Sequence, residues 1–298
     1  MALIKDVEGL DTQGAARMTV RQVPFDFLQS EGHWNRDKPE FSQIVNAASL
    51  AMPHLEPYLI RTMRQAKSLI TDPDLQNEVD LYIKQEATHY KQHRRFNDKL
   101  IEAGYQCIAP LEDSLAADYS TLGKTRSLKF NLAYAEGFES MALALGQMLI
   151  EDREYLFGNS DSSVASLVLW HFVEEIEHKN VTFDAYHHLY GGYFWRIFGL
   201  LYATGHIFLR VIQGYRALLR EDGLWTSFGS RLQMTKLIFR LLGNIAPKWL
   251  RIWKPGYHPS TITDPEWGKD WAKLYSNNPD GVARLDTYQL SANSPVMA

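Results

Sequence analysis

The ten residues His171–Asn180, HFVEEIEHKN, hold three carboxylates, two histidines and a single lysine. An exposed helix face usually interleaves its acids with Lys or Arg at i, i+4, so this run calls for another account. Each residue of a helix advances by about 100°, which puts His171, Glu175 and His178 on one stripe at i, i+4, i+7, with Glu175 and His178 about 60° apart. Side chains of one helix can therefore reach a single metal ion. Glu174 and Glu177 fall off the stripe and are expected to pair with solvent or Lys.

The same unit occurs earlier. QEATHYKQH, residues 85–93, contains Glu86-x-x-His89, with His93 a turn beyond and Tyr82 a turn before. Between the two units lies AYAEGFESMALALG, where Glu136 sits in a surface of small and apolar residues. An ionised carboxylate there needs a cation or a hydrogen-bonded partner. Glu139, one turn on, is a further candidate carboxylate for the same site, ranked behind Glu136 and His171. Upstream, MPHLEPYLIRTMRQA has Glu56 as its one acid; the neighbouring Pro57 leaves a helix-start role open as well. Dimetal carboxylate bundles take one Glu from each of two helices and a Glu-x-x-His from each of the other two, all pointing inward. His171 reads either as a direct ligand or as a buried histidine that orients one. His93 reads as a neighbour, Tyr82 as core or pocket wall, and His187 and His188 as complements to a helix end.

Bulk properties set the frame. The chain has 298 residues, 45% of them hydrophobic, and 31 basic against 35 acidic side chains give a net charge of −4. That is enough apolar matter for a sizeable core, and the charge balance carries no nucleic-acid footprint. The single Cys107 excludes an intrachain disulfide, and the start, MALIKDVEGLDTQG, lacks the pattern of a secretory signal, so the cytoplasm is expected. In residues 191–220, Arg196, His206 and Arg210 interrupt the apolar run. Roughly 13 uninterrupted residues fall short of the roughly 20 a span needs, and a buried helix or one touching a membrane surface is expected instead.

The periodicity is helical throughout, with no useful strand pattern, repeat or low-complexity tract. One domain is expected: an N-terminal arm over 1–40 with little chemistry, a dimetal four-helix core over 41–190, accessory helices over 191–250 and a tail over 251–298. Within the core, helices are expected at 41–51, 55–71, 74–103, 124–151 and 162–190, with connecting structure at 110–123; two more follow at 193–221 and 226–246.

WHFVEEIEHKNVTFDAY, AEGFES, QEATHY and LEPYLIR together resemble the bacterial family labelled predicted metal-dependent hydrolases, which is related to the ferritin-like dimetal carboxylate proteins. The resemblance covers residues 40–250 and is most specific around Trp170, His171, Glu175 and His178. It implies Glu56, Glu86, His89, Glu136, Glu175 and His178 as metal ligands, with His171 a seventh candidate. Glu139 replaces the hydroxyl residue usual at that turn. His-x-x-x-Glu-x-x-His is also similar to the pattern of di-iron arylamine N-oxygenases, where an extra histidine binds one iron.

The expectation is an all-α, ferritin-like four-helix bundle with additional C-terminal helices and two bound Fe ions. Mn or mixed Mn/Fe are alternatives, and Zn suits a thiolate-free set less well. Its function would be to use O2, with an electron donor, to hydroxylate, N-oxygenate or desaturate a small organic substrate, with the apolar helix 193–221 as a pocket wall. A metal-dependent hydrolase with a dinuclear site is the alternative. An iron-storage protein fits less well, since a cage subunit has no need of the C-terminal extension, and an inert acidic core is disfavoured by the cost of stacked buried carboxylates. Peripheral membrane contact and a homodimer are allowed as partners.

Overall fold

The computed structural model describes residues 18–287, and every regular element among them is helical. The early N-terminal residues and the end of the expected tail lie outside that range. The helices are α1 (Pro39–Ser49), α2 (Met52–Lys67), α3 (Pro73–Glu102), α4 (Ile108–Thr125), α5 (Leu128–Glu151), α6 (Arg153–Phe157), α7 (Ser162–Glu177), α8 (Val181–Leu189), α9 (Tyr193–Glu221), α10 (Phe228–Ile252) and α11 (Glu266–Asn277).

Local chemistry explains the main boundaries. Asp72 caps α3 by accepting from the Asp74 and Leu75 amides, Ser127 caps α5 through Phe130 N–H, and Asp161 caps α7 through Ser163 and Val164 N–H. Gly191 and Gly192, both at positive φ, separate α8 from α9. Pro53 occupies the first turn of α2, where its missing N–H costs nothing, and the helix runs on through Pro57.

Helix α2 packs on α3 and α5 on α7, and the pairs meet through α2–α5 and α3–α7 contacts, giving a four-helix core that α8 extends. α9 lies along α5 and α1, and α10 flanks α5. The α5–α9 crossing is very close. A Cβ on Gly199 would come within 2.0 Å of Ala133 O, and one on Gly137 within 2.4 Å of Leu200 N.

Two expectations need correction. The stretch at 110–123 is the helix α4, because Leu115, Tyr119 and Leu122 form a buried i, i+4, i+7 stripe and Pro110 lies in the first turn, where proline is tolerated. The helix expected over 162–190 is interrupted: α7 ends at Glu177, and Val181 N–H bonds to His178 O before α8 begins. At this break Lys179 reaches Ile262 O and the Asp264 carboxylate. The arm is a structural partner of the core, burying Val23, Phe25, Phe27 and Trp34 and sending Arg21 into the bundle.

Helix α9 is long and apolar enough to cross a membrane by length and composition, with a mean hydropathy of 1.2 over its best 18 residues. Its Arg196 is nevertheless buried and donates to Ile252 O and Lys254 O.

Candidate metal centre

The four core helices each send acids or histidines to one place. Glu56 comes from α2, Glu86 and His89 from α3, Glu139 from α5, and His171 and Glu175 from α7 with His178 at its C-cap. Ligating atoms of Glu86, Glu139, Glu175 and His178 lie within 4.8 Å of one another, as do those of Glu56, Glu86 and His89, and those of His89, His171 and Glu175. Glu86 and Glu175 each belong to two of these groups. His178 Nε2 stands 3.1 Å from Glu175, 3.3 Å from Glu139 and 3.4 Å from Glu86. His171 Nε2 is 3.0 Å from Glu175, and His89 Nδ1 is 3.8 Å from both Glu86 and Glu175. All seven side chains are buried.

Glu136 is not brought to this cluster. It faces α9, accepting a hydrogen bond from Ser140 Oγ at 3.0 Å and lying 3.7 Å from the Arg196 guanidinium. The α5 carboxylate that reaches the histidines is Glu139. Gly137 faces α9, and position 139, about 200° further round the helix, therefore faces the bundle interior. Glu56 makes no helix cap; both its oxygens are buried without a hydrogen-bond partner, 4.0 Å from His171 Nδ1 at the nearest ion-pair approach.

Each histidine is held from behind, which fixes the nitrogen it presents. His89 Nε2 donates to Glu174 at 3.0 Å, so Nδ1 faces the cluster with its lone pair. Glu174 is held in turn by Arg21, which also clamps Glu177 at 2.6 Å. Both acids were expected to meet solvent or Lys, and both instead form a buried arginine pair supplied by the arm. His178 Nδ1 donates to Gln85 Oε1 at 3.1 Å. On the other side, Asn97 Nδ2 donates to Ser49 O, and Ser49 Oγ donates to Asn97 Oδ1, so Ser49 accepts from His93 Nδ1. His93 Nε2 is then an acceptor, and His171 Nδ1 donates to it at 2.9 Å. The consequence is that His171 presents Nε2 to Glu175, at 3.0 Å.

The electrostatics follow from crowding. Burial, reinforced by Glu175 and Glu139, pushes the Glu56 and Glu86 carboxyls well above the ordinary range. Burial raises Glu139 too. It holds the His89 and His93 imidazoles well down, and His171 adds to this, so both are neutral. Burial opposes the charge of His178, but Glu175 and Glu139 outweigh it and raise its pKa. A divalent cation among these groups reverses the penalty on each carboxylate, because it stabilises the ionised form.

The residues fit such an ion. Both oxygens of Glu56 and of Glu86, Glu139 Oε2 and His89 Nδ1 are buried polar atoms with no hydrogen-bond partner, and all are of types that ligate divalent metals. Tyr82 donates to Glu139 Oε1 at 2.7 Å, a polar role beyond core packing. Sequence reasoning passed over Arg21, Gln85, Ser49 and Asn97. The only signal for Gln85, Ser49 and Asn97 was their polarity on helical faces, and Arg21, in the irregular arm, had none.

A cavity of about 460 Å³ opens between α2, α4 and the start of α5, lined by residues such as Tyr58, Arg61, Tyr119 and Asn131. Neither the cluster residues nor α9 line it, so the pocket wall expected from α9 is not found there.

Over residues 19–263 the chain matches the family model described as predicted metal-dependent hydrolase, and it belongs to that family. No curated protein and no solved structure matches it.

Proposed function

We propose that this member of the predicted metal-dependent hydrolase family is a hydrolase with a dinuclear metal centre built from Glu56, Glu86, His89, Glu139, His171, Glu175 and His178. The observation that carries the reading is the overlap of the ligand groups: Glu86 joins the Glu139–Glu175–His178 group to Glu56 and His89, and Glu175 joins it to His89 and His171. Glu56, His89 and His171 would serve one ion and Glu139 and His178 the other, with Glu86 and Glu175 shared. Bound there, two divalent ions would polarise an ester, amide or phosphate oxygen and lower the pKa of a water.

The protein's own groups do the remaining work. Arg21 with Glu174, Gln85, and the Asn97–Ser49–His93 chain orient the imidazoles. The Tyr82 hydroxyl holds a proton against Glu139, inside the cluster. The histidine edge is the least enclosed part, His171 being 5% and His93 6% exposed while Glu86, His89 and His178 are at 0%.

Oxygen activation by two Fe ions with an external electron donor is the second reading. It is favoured by the enclosure of the ligands and by a donor set of carboxylates and imidazoles without thiolate. The test is to load the protein with Mn or Zn without air and assay ester, amide and phosphoester cleavage. Turnover independent of oxygen and reductant supports hydrolysis. Oxygen uptake by the Fe(II)-loaded protein that depends on an organic substrate, with no cleavage under any metal, overturns it.

A further inference from the structure

Helices α9 and α10 carry an apolar surface that none of the other described residues covers. On α9, Phe194, Phe198, Leu201, Phe208 and Ile212 are each at least 42% exposed, and their spacing puts them within about 80° of one another. On α10, Phe228, Leu232, Phe239, Leu242 and Leu250 are each at least 48% exposed and occupy a stripe of the same width. Phe194 and Phe228 reach 84% and Phe239 73%. Isolated exposed apolar side chains are ordinary; two continuous stripes are the mark of a contact surface.

α9 and α10 both pack on α5 and α1 and meet each other near their ends. The start of α9 meets the end of α10 through Tyr193 Oη donating to Trp253 O, and a six-residue turn joins their other ends. The opposite face of α9 is packed on α5 at Gly199, and that of α10 buries Ser230, Leu237 and Ile252. The pair is therefore anchored to the core by its inner face. α9 cannot leave α5 to span a bilayer without exposing Arg196 and losing the Gly199 contact.

Charge decides the occupant. Between Tyr193 and Lys254 there are ten Lys or Arg and two Asp or Glu, an excess of eight positive charges in a chain whose net charge is −4. α10 holds five basic residues and no acid. The two acids at the turn are engaged inward, Glu221 accepting from the Gln106 and Cys107 amides and Asp222 from Tyr105 and Gln43. Arg216, Arg220 and Arg231 gather around Trp225 at that turn, with Arg231 3.5 Å from the ring centre. Arg196, Arg210, Arg240 and Lys248 pair with Glu136, Asp118, Asp152 and Glu151, while Lys236, Arg251 and Lys254 are exposed.

We infer that the α9–α10 face docks on an anionic phospholipid surface, with its aromatic and leucine side chains in the headgroup boundary and its basic residues on the phosphates. A second copy is disfavoured, because a twofold contact through this face sets basic residues against basic residues. The inference is independent of the metal centre.

Flotation of the full chain with vesicles tests it. Binding to vesicles containing roughly a third phosphatidylglycerol, and not to phosphatidylcholine alone, is expected, and it should weaken as salt rises. The double variants Phe228→Glu/Phe239→Glu and Lys236→Glu/Arg251→Glu should each weaken binding by about tenfold or more, with circular dichroism and metal content unchanged. No binding to anionic vesicles, or wild-type binding by both variants, overturns the proposal. So does a wild-type dimer in light scattering that the phenylalanine variant dissociates while vesicle binding stays absent.

Discussion

Glu136 and Glu139 are one turn apart on α5, both fully buried, and their surroundings give them different work. Glu136 faces Arg196; burial raises its pKa to about 7 even with the guanidinium beside it. Replacing it with Ala leaves a buried guanidinium without its carboxylate, so a loss of about 3 kcal/mol is expected in urea unfolding, with metal content retained. Glu139→Ala should lose bound metal, with little change in urea unfolding when both proteins are compared metal-free. Metal analysis and denaturation of the two variants check the pair of outcomes, and the reverse assignment would restore Glu136 as the ligand. The sequence makes both acids visible but not the choice between them, because two positions about 60° apart differ only through helix rotation. That rotation is set by the contact of Gly137 with Leu200, which lies 63 residues further along the chain. Glu86, His89, Glu175 and His178 were legible because Glu-x-x-His fixes two donors on one stripe whatever the rotation. The residues behind the imidazoles were not, since nothing local marks a Gln or Ser as the partner of a distant histidine. Gln85→Leu or Glu174→Ala should weaken metal affinity by about 10–100-fold, measurable by competition with a chelator.

At the scale of elements, the α5–α9 crossing is the tightest constraint. Gly199→Ala must displace backbone, since the new Cβ would sit 2.0 Å from Ala133 O, whereas Gly205→Ala on the same helix meets nothing within 4 Å. The first should destabilise by about 1–3 kcal/mol or more and the second should be neutral or slightly stabilising. Equal effects in thermal unfolding would contradict the packing described. The end of α9 is tied to the arm by His33 Nε2 and Asp222 at 2.8 Å, and that hydrogen bond raises the His33 pKa above its ordinary value. A raised folded-state pKa contributes stability in full below the unfolded value of about 6.5 and loses it as pH rises through the folded value. The stability difference between wild type and His33→Gln should therefore shrink from pH 6 to pH 8, and a constant difference would remove His33 as its source. Helix existence and caps were readable along the chain, as Asp72, Ser127 and Asp161 show. The break after Glu177 was not, because residues through Leu189 keep a helical composition while Lys179 is drawn to a loop 83 residues later.

At the scale of the molecule, four core helices, an N-terminal arm and an outer helix pair divide the labour. The core crowds buried carboxylates and imidazoles together, the arm supplies Arg21 to hold Glu174, and the outer helices turn an apolar, basic face outward. The all-helical class and the core were apparent from period and motif. The arm's place against the core was also expected, but not the part of Arg21 at Glu174, because an arginine in an irregular segment carries no period that marks its partner. Metal should stabilise the fold as a whole, since the cluster exists only when the four helices are assembled. An excess of about a hundredfold over Kd should add about 2.7 kcal/mol, and chelation should reverse it. The decisive measurement is elemental analysis of the metal-loaded protein beside its Glu86→Ala variant. Two divalent ions per chain in the wild type, and one or none in the variant, are predicted; no bound metal in the wild type, or two ions retained without Glu86, would contradict the account.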